Sequence, residues 1–133
     1  MNNRDLVAVA RLAAEKAYVP YSNFPVGAAL ECPDGQVFTG CNVENSAYGG
    51  TICAERTAVC KAVSEGYRKF RKIAVWGKSD DYCTPCGACR QFIAEFGLDI
   101  EVISANNKGE FFSATVGELL PHAFTPANLE ERD

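Results

Sequence analysis

Two stretches of the chain place cysteines at the start of a predicted helix: "TICAERTAVCKAV", residues 51–63, and "TPCGACRQFIAEFG", residues 84–97. In the first stretch, one cysteine opens the helix and a glutamate follows two residues later. In the second, two cysteines lie three residues apart, so one helical turn can direct both thiols at one ion. Together the stretches predict a metal site with a proton-transfer group beside it. The residues concerned are Cys53, Glu55, Cys86 and Cys89.

The pattern outside these stretches predicts an α/β protein with the element order α-β-β-α-β-α-β-β-α. Apolar periodicity, alternation and glycine or proline breaks mark the elements. A capping box is expected at Thr115. The predicted helices are 4–18, 53–65, 86–96 and a short one after Thr115; the predicted strands are 26–32, 36–42, 72–77, 100–104 and 110–114, with a polar loop at 43–50.

The predicted topology brings the two cysteine stretches together. The strand at 36–42 leads into the helix that starts at Cys53, and the strand at 72–77 leads into the helix that starts at Cys86. If these strands run parallel, both helices start at the same edge of the sheet. Open α/β sheets place their ligand sites at that edge, beyond the carboxyl ends of the strands.

Composition limits the possible function classes. The 133 residues suit one domain, 1–133, with 47% hydrophobic and 23% charged residues. A net charge of −4 argues against a binder of long nucleic acid. No signal peptide and no membrane-spanning run is recognisable, so a cytoplasmic protein without membrane contact is expected. Seven cysteines, an odd number, favour metal binding or catalysis over a disulfide framework.

Three thiolates with one open coordination position are typical of a catalytic zinc site. Two other interpretations of the cysteines stay open at this point. The pair at 86 and 89 could be a redox pair, or it could belong to a structural zinc site with a fourth protein ligand. Candidates for that fourth ligand are Cys83, Cys60 and His122.

Five motifs, in order along the chain, resemble the homotetrameric zinc-dependent cytidine deaminases. They are "YVPYSNFPVGAAL" (18–30), "GCNVENSAY" (40–48), "CAERTA" (53–58), "PCGACRQ" (85–91) and "LLPHAF" (119–124). The resemblance runs nearly end to end. It implies a three-layer α-β-α fold with a five-stranded mixed sheet, in agreement with the strand count.

The resemblance also implies a role for each site residue. Cys53, Cys86 and Cys89 would hold one zinc ion per subunit, and Glu55 would carry protons from water to the ring and then to the leaving amine. Other implied roles are ribose binding by Asn42 and Glu44, stacking on the base by Phe24, backbone contacts to the base from Ala54 and Thr84, contributions to neighbouring subunits from Tyr48 and Phe124, and moderation of the thiolate charge by Arg56 or Arg90.

The expected activity is hydrolytic deamination of cytidine and 2′-deoxycytidine in pyrimidine salvage, by a homotetramer that shares its sites between subunits. An enzyme that edits RNA or DNA is the main enzymatic alternative, but the acidic composition and the lack of a basic groove argue against it. A deaminase of a cytosine-containing antibiotic is another. The non-enzymatic alternative is a structural zinc module, which would need four protein ligands.

Overall fold

A computed structural model describes residues 1–130 of the chain, and the predicted element order is confirmed there. None of its helices is long and apolar enough to cross a membrane. The elements are α1 Asn3–Ala14, β1 Val26–Glu31, β2 Val37–Cys41, a 3₁₀ turn Tyr48–Gly50, α2 Ala54–Ser64, β3 Lys72–Gly77, α3 Gly87–Ala94, β4 Glu101–Ala105, β5 Phe111–Thr115, α4 Val116–Leu119 and α5 Pro126–Glu130.

The boundaries of most elements differ from the prediction by one or two residues, and three differences are larger. The first helix ends at Ala14 rather than at residue 18, the loop at 43–50 contains the 3₁₀ turn, and α5 was not predicted. The predicted capping box is confirmed, since the Thr115 side chain accepts from the Glu118 amide and the Glu118 carboxylate accepts from the Thr115 amide. Local cap chemistry was therefore easier to predict than the point at which a helix stops.

The five strands form one mixed sheet in the order β2-β1-β3-β4-β5. β1 is antiparallel to both β2 and β3, β3 is parallel to β4, and β4 is antiparallel to β5. It follows that β2, β3 and β4 all run in one direction, as the prediction required, although β1 separates β2 from β3. Their carboxyl ends lie at one edge of the sheet, and the starts of α2 and α3 follow from that edge.

Helices cover both faces of the sheet, which gives the expected three layers. On one face α2 and α3 pack over a core that includes Ala58, Ile73 and Ile93. On the other face α1 buries Leu6, Val7, Ala10 and Ala14, mainly against β1 and β3.

Apolar spacing in the sequence predicts a buried face of α2 formed by Ala54, Ala58 and Ala62, and the structure confirms it. For the first helix the same spacing predicts a face formed by Leu6, Val9, Ala10, Ala13 and Ala17. This is confirmed only in part, since Leu6 and Ala10 are buried but Ala17 lies beyond the end of the helix.

Two glycines let the helices approach the sheet at backbone distance. A Cβ atom at Gly27 would lie 1.9 Å from the Ala10 carbonyl oxygen, and one at Gly40 would lie 2.5 Å from both the Ala54 oxygen and the Ala58 nitrogen. Any larger residue would push the helix away from the sheet. Gly40 therefore fixes the start of α2, and with it the cysteine that precedes this helix.

Candidate metal centre and active site

The three predicted cysteine ligands come together at two helix starts. Cys53 is the N-cap residue of α2, Cys86 is the N-cap residue of α3, and Cys89 lies in the first turn of α3. Their sulfur atoms all lie within 4.8 Å of one another. Each helix N-terminus contributes a positive potential equivalent to roughly half a charge, which favours thiolates at this position.

Arg56 adds a full positive charge next to the sulfur cluster. Its Nη2 atom donates to the Thr51 carbonyl at 3.1 Å and lies 3.9 Å from Cys53 Sγ. The pKa of the Cys53 thiol is lowered to about 5, chiefly by a hydrogen bond from Cys89 and further by Arg56. The pKa of Cys89 is raised, because its thiol donates that bond and is buried. The Cys89 thiol and Arg56 thus both stabilise a thiolate at Cys53.

The donor set fits zinc. Thiolates are soft ligands that zinc prefers, and three of them at this spacing can occupy three corners of a tetrahedron. Within residues 1–130, the grouping of possible metal ligands contains only these three residues. Cys83, Cys60 and His122, the candidates for a fourth protein ligand, are not part of it. The arrangement therefore leaves one position open, as catalytic zinc sites do and structural sites do not.

Glu55 lies in the first turn of α2, beside the sulfur cluster but outside the ligand grouping. Only 4% of its surface is exposed. Burial raises the pKa of this carboxyl, and the charge on Cys53 acts in the same direction. A buried carboxylate next to a metal position is able to accept and return protons near neutral pH.

Arg90, which was predicted to moderate the thiolates together with Arg56, has a different set of contacts. Its Nε donates to the Pro85 carbonyl and its Nη1 to the Leu119 carbonyl, each at 2.8 Å. No hydrogen bond joins it to a cysteine sulfur among the described residues. The side chain of the next residue, Gln91, donates to the Phe124 carbonyl at 2.9 Å. These two residues fasten the C-terminal segment to α3.

The two predicted sugar-binding residues, Asn42 and Glu44, lie on loops, and both hydrogen-bond to the segment at 21–26. Both oxygens of Glu44 accept hydrogen bonds from the loop at 21–22. The Asn42 side chain donates to the Phe24 carbonyl and accepts from the Val26 amide, both at 2.9 Å. These side chains shape the loop that contains Phe24, so each has a structural contact in addition to the predicted ligand role.

The three aromatic residues predicted to contact the substrate or a neighbouring subunit are solvent-exposed. The exposed fractions are 37% for Phe24, 80% for Tyr48 and 54% for Phe124. The Tyr48 ring packs edge-on against Tyr21, with the ring centroids 6.5 Å apart. A cavity of about 260 Å³ opens here, lined by Tyr21, Ser22, Glu44, Tyr48 and Thr51.

The remaining two predicted contacts are backbone groups close to the cysteines. Ala54 is the first residue of α2 and is fully buried, whereas Thr84 is exposed in the loop before α3. Sequence reasoning missed two residues of the site, Ser22 and Gln91. A serine two residues before Phe24 in a proline-bounded loop is a recognisable turn signal, whereas the partner of Gln91, 33 residues away, leaves none.

Comparison with known proteins gives a consistent result. A family model described as the cytidine and deoxycytidylate deaminase zinc-binding region matches residues 1–105. A cytidine deaminase of Sporosarcina psychrophila is 52% identical, with 97% of this chain and 96% of the relative covered. A probable cytidine deaminase of Dictyostelium discoideum is 48% identical, with 97% and 90% covered. The crystal structure of a cytidine deaminase from Burkholderia pseudomallei superposes with a TM-score of 0.90 at 50% identity, covering 93% of this chain and 100% of that one.

Proposed function

The chain belongs to the cytidine and deoxycytidylate deaminase family, and we infer that it is a hydrolase that converts cytidine and 2′-deoxycytidine to uridine and 2′-deoxyuridine with release of ammonia. The observation that supports this most directly is the cluster of three thiols within 4.8 Å at two helix starts, with the buried carboxylate of Glu55 beside it. One zinc ion per subunit fits Cys53, Cys86 and Cys89.

When bound, zinc makes hydroxide available near neutral pH, because it lowers the pKa of a coordinated water from ~16 to ~7. The chain itself supplies the proton transfers. Glu55 would accept a proton from the attacking water and deliver it to N3 of the pyrimidine. It would then take the second proton from the hydroxyl that has added at C4 and pass it to the amine, which leaves as ammonia while the C4 carbonyl forms. In total, water adds at C4 and the C4–N bond breaks. One carboxylate is enough for these proton transfers, because it ends the cycle ionised, as it began.

The chain's other site residues would recognise the nucleoside. Phe24 offers an exposed ring for stacking on the base. Glu44 would accept a hydrogen bond from the sugar 3′-hydroxyl, and Asn42 would form a hydrogen bond with the same hydroxyl. The backbone of Ala54 and of Thr84 would hold the polar edge of the base. None of the roles that the family resemblance assigns falls on the 2′-hydroxyl, so both sugars are expected as substrates.

We further propose that the protein is a homotetramer whose active sites are shared between subunits. The exposure of Tyr48 and Phe124 supports this, because large aromatic side chains that are 80% and 54% exposed are suited to contact a neighbouring subunit. Residues 1–133 would form one catalytic domain. Seven free thiols suit a reducing compartment, which supports a cytoplasmic enzyme of pyrimidine salvage.

The test is a purified protein with measured zinc content, assayed by the absorbance change of cytidine and by ammonia release. We expect about one zinc per chain and turnover of both cytidine and 2′-deoxycytidine, with no activity on a single-stranded oligonucleotide that contains cytosine. Preference for the oligonucleotide would instead support an editing enzyme. Zinc-loaded protein that leaves every cytosine compound unchanged would contradict the proposal.

A further inference from the structure

We propose that Ser22 is a positioning residue that determines how strongly the site recognises the sugar 3′-hydroxyl. This inference rests on the proposed function, because it assumes that Glu44 binds that hydroxyl. It concerns a residue outside the metal centre. Ser22 is exposed and lines the 260 Å³ cavity together with Glu44 and Tyr48.

The first argument is the set of hydrogen bonds around the Glu44 carboxylate. Ser22 Oγ donates to Oε2 at 2.5 Å, and the amides of Tyr21 and Ser22 donate to Oε1 at 3.0 and 3.1 Å. Oε1 is thus fixed by backbone, whereas the only donor to Oε2 in the described structure is the serine hydroxyl. The Ser22 hydroxyl is therefore the second anchor of the carboxylate, and it removes the freedom to pivot that the bonds to Oε1 leave.

The second argument is that the same hydroxyl also fixes the loop that contains the aromatic residue. The Phe24 amide donates to Ser22 Oγ at 3.0 Å. Asn42 holds the other side of this loop, through the Phe24 carbonyl and the Val26 amide. The Ser22 hydroxyl therefore donates to Glu44, the predicted sugar-binding carboxylate, and accepts from the backbone amide of Phe24, the predicted base-stacking residue.

The physical consequence is specific to the sugar. A carboxylate held by charge-assisted hydrogen bonds presents its free lone pairs in a fixed direction, so the ligand hydroxyl gains a bond without the cost of ordering the side chain. Without the serine hydroxyl, the Glu44 carboxylate is held at Oε1 alone and can pivot about that oxygen, so this gain is reduced. The Asn42 contacts stay in place, so the aromatic loop should remain formed.

The experiment compares Ser22→Ala with wild type on two substrates, cytidine and 3′-deoxycytidine. The readout is the ratio of the two kcat/KM values, in which any fraction of inactive protein cancels. We expect Ser22→Ala to reduce this ratio about tenfold, in line with the loss of one hydrogen bond to a charged group. The ratio of cytidine to 2′-deoxycytidine should not change. Ser22→Thr, which keeps the hydroxyl, should restore the 3′ discrimination.

Ser79 supplies a matched control. Its hydroxyl accepts from the Asp81 amide two residues later at 3.2 Å, the same local motif as in Ser22 and Phe24, but among the described residues it makes no hydrogen bond to Glu44 or to the Phe24 loop. Ser79→Ala should leave both ratios unchanged. If Ser22→Ala lowers kcat/KM equally on cytidine and 3′-deoxycytidine, the ratio is unchanged and Ser22 only shapes the loop, which would overturn the inference. A ratio that is unchanged because neither kcat/KM value falls would overturn it as well. Failure of wild type to deaminate cytidine would instead refute the proposed function.

Discussion

The metal end of the site and the proposed recognition end are built differently. At the metal end, Cys89 is fully buried and Glu55 is 4% exposed, and every group lies at the start of a helix within one chain. At the recognition end, Phe24, Tyr48 and Phe124 lie on loops or in a short turn, with exposed fractions from 37% to 80%. One end is complete in a single chain, whereas the other has open aromatic surfaces.

The difference separates chemistry from recognition. At a helix start, the packed backbone holds the side chains in fixed positions, and the helix N-terminus adds a positive electrostatic potential. A proton-transfer site needs both. Loops tolerate adjustment and can be completed by a neighbouring surface. Changes at the metal end should therefore lower kcat, and changes at the recognition end should raise KM or weaken assembly.

The largest effect is expected from Glu55→Gln. The amide keeps the shape of the side chain but cannot accept a proton, so kcat should fall about a thousandfold or more. Zinc content and circular dichroism should match wild type. Glu65→Gln, at the exposed C-terminal end of the same helix, is the matched control and should retain full activity. Near-normal turnover in a zinc-loaded Glu55→Gln protein would remove the carboxylate from the mechanism.

Arg56→Gln should have the next largest effect, a loss in kcat of about 10- to 100-fold, typical of residues that contact a metal ligand. Arg56 helps to lower the pKa of Cys53 to about 5, so its loss should raise that pKa. A thiol with a higher pKa holds its proton to a higher pH, and zinc should be lost at a higher pH than in wild type. Zinc content after dialysis at stepwise lower pH measures this shift, and turnover should also require a higher pH.

A second substitution tests whether charge is the cause. Cys53→His removes one unit of negative charge from the ligand set, so the double variant Arg56→Gln/Cys53→His should turn over faster than Arg56→Gln alone at equal zinc occupancy. An unchanged kcat in Arg56→Gln would show that this arginine only packs. Absence of any rescue in the double variant would leave the charge explanation unsupported.

At the recognition end, Phe124→Ala should raise KM about tenfold and weaken the oligomer at the same time, because an exposed aromatic ring at a subunit boundary contributes to both. Sedimentation velocity and steady-state kinetics on the same preparation would show both effects. A wild-type monomer with full activity would contradict the proposal that a neighbouring subunit completes the recognition end.

The smallest effect is expected from Gln91→Ala, which tests the link between the two ends. Its side chain lies on α3 with two of the cysteines and donates to the Phe124 carbonyl. Loss of this hydrogen bond should raise KM about fivefold, with kcat and zinc content nearly unchanged. Gln36→Ala, an exposed glutamine in the β1–β2 turn, is the control. A fall in kcat equal to the rise in KM would mean that Gln91 supports the metal end instead.

Much of the metal centre could be predicted from local pattern. To predict that the cysteines at the first positions of two helices come together, it is enough to know where the helices begin and in which direction the preceding strands run. The helix boundaries and the strand directions both follow from short-range signals in the sequence. The contacts of Arg90 could not be predicted in this way. An arginine next to a metal ligand suggests an electrostatic role, yet its partners include a carbonyl 29 residues away, at Leu119.

The sequence by itself determined the element order, the three cysteines with their carboxylate, and the family, because these depend on residue spacing and on motifs that stay contiguous along the chain. Only the tertiary structure decided that β1 separates β2 from β3, that Arg56 rather than Arg90 contacts a thiol, and that Ser22 joins Glu44 to the Phe24 loop. The strand order and the Ser22–Glu44 hydrogen bond join segments far apart in sequence, and the Arg90 side chain reaches a carbonyl 29 residues away. The Arg56 contact to Cys53 spans only three residues, but it depends on side-chain geometry at the start of α2. Such contacts are selected by packing and by satisfaction of polar groups across the whole fold, which no local pattern records.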